Sequence, residues 1–197
     1  MHTQKTITVD EIMALKPCRS YPRAYIEEMV GSQPITAEAV RLYRDLSPMN
    51  KIWLLSQWPG LDEMELRLLA IRWADRIVKD RAPDAGNRLA VYWITEAERY
   101  TQGEISAHSA YVIYCSTCRI SGIQYLSAWA RIALECTCPG ASWPVVFYIA
   151  ELAEEAYGEP VLDQMIEDLT TMIEDDAAPE DLPECRFDYS KEDKDNG

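Results

Sequence analysis

Two apolar rows lie side by side along residues 62–81 and predict the clearest helix of the chain. In the first row, Met64, Leu68 and Ile71 recur at spacings of four and three residues. The second row consists of Leu66, Leu69, Trp73 and Ile77. Together the rows make a wide apolar stripe with charged residues on the opposite side, which is typical of a helix that packs against a core.

Helical signals continue along the rest of the chain, while the strict apolar–polar alternation that indicates strands is almost absent. Thr8 followed three residues later by Glu11 predicts a capping box, and Ser47 followed by Pro48 predicts a cap with a first-turn proline. The predicted helices span residues 9–15, 22–30, 36–46, 48–58, 62–81, 86–101, 106–135, 143–157 and 160–173. We therefore expect an all-α fold, a single bundle-like domain of eight to nine helices over residues 1–175.

Residues 106–135 form the least charged segment of the chain. Arg119 and Arg131 are its only charged residues before Glu135 at its end, and small residues are dense along it. A helix that is apolar nearly all round belongs in the middle of a bundle, so we predict that this helix is the centre of the fold. Its polar side chains would be costly in lipid, which disfavours a membrane span.

The charge of the chain is strongly negative. It holds 19 Lys and Arg against 33 Asp and Glu, a formal net charge of −14 over 197 residues. This balance argues against direct binding of nucleic acid, which needs a cationic surface, and favours a protein partner with a basic surface. Residues 176–197 contain eight acids against three bases and two prolines, and they predict a disordered acidic tail.

The N-terminal residues lack the apolar segment of a signal peptide, so we expect a cytoplasmic protein. The chain has six cysteines: Cys18, Cys115, Cys118, Cys136, Cys138 and Cys185. Because the cytosol keeps thiols reduced, we expect no disulfides and interpret most of these side chains as buried apolar groups.

Four of the cysteines form a pattern that resembles a zinc site, with Cys115 and Cys118 followed by Cys136 and Cys138. Within one helix Cys118 and Cys136 would be about 27 Å apart, at about 1.5 Å per residue. Four thiolates around one zinc ion must each lie about 2.3 Å from it. Buried thiols are therefore the prediction, and a zinc site remains an alternative only if the helix folds back near Gly122. A redox role for the first pair is the other alternative.

Catalytic signatures are weak. His108 lies two helical turns from Cys115, too far for a Cys–His nucleophile, and no glycine-rich phosphate loop occurs. We therefore expect no catalytic residues, no metal and no cofactor. Six Trp and eleven Tyr stand against two Phe, and Trp58, Tyr92 and Tyr148 are candidate anchors for a partner.

Carboxylates are concentrated on the last two predicted helices. The candidate binding residues are Glu151, Glu154, Glu155, Asp163, Glu167 and Asp168. Their spacings of three and four place several of them on one helix face. A solvated face and a binding surface for a basic partner are the two main interpretations. A carboxylate metal centre is disfavoured because the paired Glu-x-x-His spacing of di-iron bundles is absent.

Several segments of the chain together resemble a family of small helical immunity proteins of phages and bacteria. The segments are TVDEI at 8–12, the Pro17–Cys18 pair, LRLLAIRWA at 66–74, Pro83-Asp84 with Arg88, Glu98 to Tyr100 with Gly103-Glu104, and the small-residue helix after Ser106. The resemblance covers most of residues 8–135 in patches. Tyr and Cys replace alanines of the family at Tyr111, Tyr114, Cys115, Cys118 and Tyr125.

The resemblance implies an all-helical protein without chemistry of its own, which neutralises a partner protein by stoichiometric binding in immunity or phage counter-defence. One alternative is an acidic mimic of nucleic acid that blocks a nuclease or a restriction or CRISPR-type defence enzyme. An alternative from another class is a thiol- or carboxylate-dependent enzyme. The sequence leaves the partner and the oligomeric state open.

Overall fold

The computed structural model describes residues 5–31, 33–81, 87–121, 136–138 and 142–183. Within these ranges the chain forms nine α-helices and one pair of two-residue strands, which confirms the expected all-α fold. The helices are α1 (Val9–Ala14), α2 (Arg23–Val30), α3 (Ala37–Leu42), α4 (Pro48–Leu55), α5 (Glu63–Arg81), α6 (Asn87–Thr101), α7 (Ala107–Ser121), α8 (Ser142–Tyr157) and α9 (Pro160–Asp175). The strands are β1 (Thr6–Ile7) and β2 (Ile35–Thr36).

The two strands fix the starts of two helices. β1 and β2 are antiparallel, with Ile7 opposite Ile35. Thr8 follows β1 and Thr36 ends β2, and each of these threonines caps the next helix. The capping box at α1 is confirmed, since Thr8 Oγ1 accepts from the Glu11 N–H and Glu11 Oε2 accepts from the Thr8 N–H at 2.8 Å. Thr36 caps α3 in the same way, through the N–H of Ala39.

Helix α5 occupies the middle of the fold. Leu66, Trp73 and Ile77 are buried, as the apolar stripe over residues 62–81 predicts. The helix packs against α6 on one side and α8 on another, and α9 in turn packs across α8, α4 and α3. Asp62 begins α5, because its Oδ1 accepts hydrogen bonds from the N–H groups of Met64 and Glu65. The buried side chains of these helices form one continuous apolar cluster.

The prediction that residues 106–135 form the central helix is wrong for the part that the structure describes. Helix α7 packs against α6, and Ala110 is buried, yet Tyr111 is 53% exposed and Val112 is also exposed. An uncharged helix can bury only the sides on which other elements lie, and α5 already occupies the centre. Residues 122–135 lie outside the described residues.

Two predicted boundaries also need correction. The third helix ends at Leu42, short of the predicted residue 46, because Tyr43 adopts an extended conformation. The predicted tail does not begin at residue 176, because a 3₁₀-helix (Pro179–Asp181) follows α9 and Leu182 is buried, with its carbonyl accepting from Arg72 on α5. Residues 184–197, the rest of the predicted acidic tail, lie outside the described residues.

None of the helices in the described ranges combines the length and the apolar character that crossing a bilayer requires.

Candidate functional site

Five of the six candidate carboxylates lie on the surface of the α8–α9 hairpin. Glu151, Glu154 and Glu155 are exposed on α8, at spacings that place them on one helix face. Gly158, whose positive φ of 84° favours glycine, makes the turn into α9. On α9, Asp163 and Glu167 are exposed and one helical turn apart. We call Glu151, Glu154, Glu155, Asp163 and Glu167 the hairpin carboxylates.

Glu167 lies towards α3, beside Arg41. Arg41 donates two hydrogen bonds of 2.6 Å to Glu38, and these raise the pKa of its guanidinium most. The negative charge of Glu167 raises the same pKa further. These hydrogen bonds from Arg41 also lower the pKa of the Glu38 carboxyl, whereas partial desolvation raises it. The surface around Glu167 is therefore a mixed-charge edge, whereas the α8 face presents three carboxylates together.

Asp168 does not belong to this surface, and its prediction as a binding residue is wrong. Its side chain is 2% exposed and accepts a hydrogen bond of 2.8 Å from Trp73 Nε1. Gln164 Nε2 donates to its other carboxylate oxygen at 3.1 Å. Asp168 lies three residues after the buried Met165, so the apolar spacing of α9 was the signal that placed it at the core. Its role is to join α9 to α5.

The four cysteines of the zinc-like pattern are only partly described. Cys115 and Cys138 are half-buried, Cys136 is buried, and the side chain of Cys118 lies outside the described residues. The thiols that the structure describes form no disulfide; they are those of Cys18, Cys115, Cys136 and Cys138. Within the same residues, no three His, Cys, Asp or Glu side chains are close enough together to hold a metal ion.

Arg67 is a structural residue that the sequence analysis did not single out. Its side chain is 1% exposed, and Nη1 donates to the carbonyls of Cys136 and Cys138 at 3.1 and 2.6 Å. Its guanidinium also lies over the ring of Tyr100, 5.5 Å from the centroid. The signal was its position between Leu66 and Leu68 on the apolar side of α5. Arg67 thus fixes the Cys136–Cys138 segment against α5 and α6.

The aromatic candidates fall into different environments. Trp58 is buried in the core, so its prediction as an anchor is wrong, and Tyr148 is partly buried. Tyr92 is 48% exposed on α6. It belongs to a set of exposed apolar residues on the α6–α7 pair, which we call the α6–α7 apolar patch: Val91, Tyr92, Tyr111 and Val112. Exposed apolar groups rich in tyrosine are typical of protein interfaces.

Two further carboxyls have perturbed titration. Burial raises the pKa of Glu98, and the charge of Asp75 on α5 raises it further, against the opposing effect of Lys79. Partial desolvation raises the pKa of the exposed Glu65, together with the charges of Asp62 and Glu180. Neither group lies in a described pocket, and His108 is exposed. These shifts make the stability of the fold depend on pH.

Comparison with known proteins gives no relative for this chain. No model of a protein family matches it, and no curated protein and no solved structure matches it. The resemblance to the immunity family therefore remains a prediction from the sequence.

Proposed function

We propose that this chain is a non-enzymatic binding protein of the immunity or phage counter-defence type, which neutralises a basic protein partner by stoichiometric binding. The observation behind the proposal is the exposure of the hairpin carboxylates, above all Glu151, Glu154 and Glu155 on one face of α8. The net charge of −14 makes the electrostatic potential around the whole molecule negative as well. Such a surface attracts a cationic partner and raises its association rate.

The α8 face is well placed for recognition because α8 is held firmly from behind. Val146, Ile149 and Ala153 are buried on its inner side, against α5, α4 and α9. The exposed carboxylates therefore stand on a packed helix and not on a loop. Binding then needs little ordering of the backbone, which keeps the entropic cost of association low.

The α6–α7 apolar patch supplies the second half of the proposed contact. Surface charges steer the encounter, whereas buried aromatic anchors slow dissociation. Tyr92 and Tyr111 provide large exposed apolar area for such a contact. We expect charge changes on α8 to act on the association rate and tyrosine changes on α6–α7 to act on the dissociation rate.

The test is capture of the partner from the native host, followed by kinetics with the purified partner. The charge-reversed variant carries Glu151→Lys and Glu155→Lys. The matched control carries Glu28→Lys and Asp45→Lys, two exposed acids elsewhere that change the net charge by the same amount. The proposal expects a stoichiometric protein partner whose association rate falls about tenfold or more in the first variant and much less in the control.

Four results would count against the proposal. Equal loss in both variants would show that only the total charge matters. An association rate that does not change between low and physiological salt would remove electrostatic steering. Turnover of a substrate by the purified chain, lost on substitution of a cysteine or carboxylate, would favour an enzyme. Displacement of the partner by duplex DNA would instead identify the chain as a mimic of nucleic acid.

A further inference from the structure

A pocket of about 190 Å³ opens between α1, α2 and α4. Its walls are mostly apolar and include Ile12, Ile26, Trp53 and Phe147. Cys18 and Tyr21 line it from the segment between α1 and α2, and Asn50 lines it from α4. We call it the α2–α4 pocket. None of the hairpin carboxylates and none of the residues of the α6–α7 apolar patch lines it.

One wall of the pocket is polar and fixed in orientation. Asn50 Nδ2 donates to the hydroxyl of Tyr21 at 2.8 Å and to Ser47 Oγ at 2.6 Å. The Tyr21 ring is held in turn by an edge-on contact with Tyr25, with centroids 5.5 Å apart. Since the Tyr21 oxygen accepts from Asn50, its own hydrogen remains to donate to a ligand, and Asn50 Oδ1 remains to accept.

The lining excludes charged ligands. No Asp, Glu, Lys, Arg or His stands among the described residues that line the pocket, so an ionised group would lose its hydration without a partner. Its volume also limits the ligand, since an apolar cavity of about 150 Å³ accommodates benzene. The ligand that fits is one six-membered aromatic ring with a small substituent.

The pocket has room beyond this first ring. A second cavity of about 230 Å³ shares the side chains of Met29, Leu46 and Leu54 with it, and it reaches Tyr43 on its far side. Met29 is half-buried, and a methionine side chain has three rotatable bonds. A change of its rotamer would let a longer apolar substituent pass from one cavity towards the other.

We propose that the α2–α4 pocket binds a small uncharged molecule made of one aromatic ring with a single hydroxyl group. The ring lies among the apolar walls, and the hydroxyl exchanges hydrogen bonds with Tyr21 and Asn50. The site uses no residue of either proposed contact surface, so the proposal does not rest on the proposed function.

The first test compares two probes of nearly equal shape, p-cresol and p-xylene, which differ by a hydroxyl in place of a methyl. Each is titrated into the full chain, and methyl NMR signals of Ile12, Ile26, Met29 and Leu54 report on the pocket. We expect saturable shifts confined to these methyls, with p-cresol bound about 3- to 10-fold more tightly. In Tyr21→Phe the preference for p-cresol should fall, because only the hydrogen bond to Asn50 is left.

A second variant tests the location of the site. Cys18 is exposed at the pocket, so Cys18→Phe should fill its mouth and weaken p-cresol at least tenfold, while the control Cys18→Ser should bind normally. Thermal unfolding of both variants establishes that they fold. In the unmodified chain, p-cresol should also slow alkylation of Cys18 by iodoacetamide without slowing that of Cys138, which lies outside the pocket.

Several outcomes would overturn the proposal. These are the absence of saturable shifts with either probe, shifts at methyls outside the pocket, and binding that survives Cys18→Phe. An undiminished preference for p-cresol in Tyr21→Phe would remove the role of the Tyr21 hydroxyl. Shifts of the pocket methyls that depend on protein concentration without any probe would instead identify a second copy of the chain as the occupant.

Discussion

Trp73 and Asp168 are 95 residues apart in the chain, yet Trp73 Nε1 donates a hydrogen bond of 2.8 Å to Asp168 Oδ2. Both side chains are buried, and the bond joins α5 directly to α9. Removing the carboxylate would leave a buried indole N–H without its acceptor. We therefore expect Asp168→Ala to lower the free energy of unfolding by about 2–3 kcal/mol, as measured by urea denaturation.

Asp168→Asn is the matched control, because its side-chain carbonyl can still accept from Trp73. We expect it to cost clearly less than Asp168→Ala. A double-mutant cycle with Trp73→Phe separates the bond from the loss of packing, and it should give a coupling of about 1 kcal/mol or more. Additive effects of the two substitutions would show that the hydrogen bond adds nothing to stability.

Arg67 should be irreplaceable by lysine. A lysine has one compact ammonium group, so it cannot keep the planar contact with Tyr100 and also bond both carbonyls. We expect Arg67→Lys to cost about 1–3 kcal/mol in the free energy of unfolding and to speed alkylation of the buried Cys136. Arg41→Lys, at the surface, should leave Cys136 protected. Unchanged alkylation in Arg67→Lys would show that Arg67 does not fix this segment.

Ionisation of Glu98 should lower the stability of the fold as the pH rises, whereas ionisation of Glu38 should increase it. The folded chain raises the pKa of Glu98 above its ordinary 4.5, chiefly by burial and then through Asp75, so its charged form destabilises the fold. This penalty is absent below pH 4.5 and fully present once the pH exceeds the folded pKa. Glu98→Gln should therefore stabilise the chain near neutral pH and have no effect in acid.

The pKa of Glu38 is shifted in the opposite direction from that of Glu98. Its hydrogen bond with Arg41 lowers the pKa of the carboxyl, so the charged form favours the folded chain. That contribution is present above pH 4.5 and is lost as the pH falls through the folded pKa. Glu38→Gln should weaken the fold slightly near neutral pH. Denaturation curves of both variants across this range check the two signs, and effects of the same sign would contradict the assignment.

Leu182 should contribute to stability although it lies beyond the last long helix. Its side chain is buried, and the 3₁₀-helix before it packs on α5. We expect Leu182→Ala to lower the free energy of unfolding by about 2 kcal/mol. Leu42→Ala is the control, because Leu42 is 61% exposed and should change stability by less than about 0.5 kcal/mol. Equal effects would show that residues after α9 do not belong to the folded core.

The candidate site was partly predictable. The exposure of Glu151, Glu154 and Glu155 follows from the apolar positions between them on α8. The charge of Asp168 predicts an exposed position, whereas its spacing of three residues from Met165 puts it on the buried side of α9. The α2–α4 pocket had no signal in the sequence, since Cys18, Asn50 and Phe147 come from three separate parts of the chain.

The sequence by itself determined the helices and their caps, as at Thr8 and along residues 62–81, because these depend on residues three or four positions apart. Tertiary structure alone decided which helix is central and which polar side chains are buried. An uncharged helix such as α7 can lie at the edge, and a charged Arg67 can lie in the core, because burial depends on what packs opposite each face. The side chains that pack there come from residues far away along the chain, so a local sequence pattern cannot predict them.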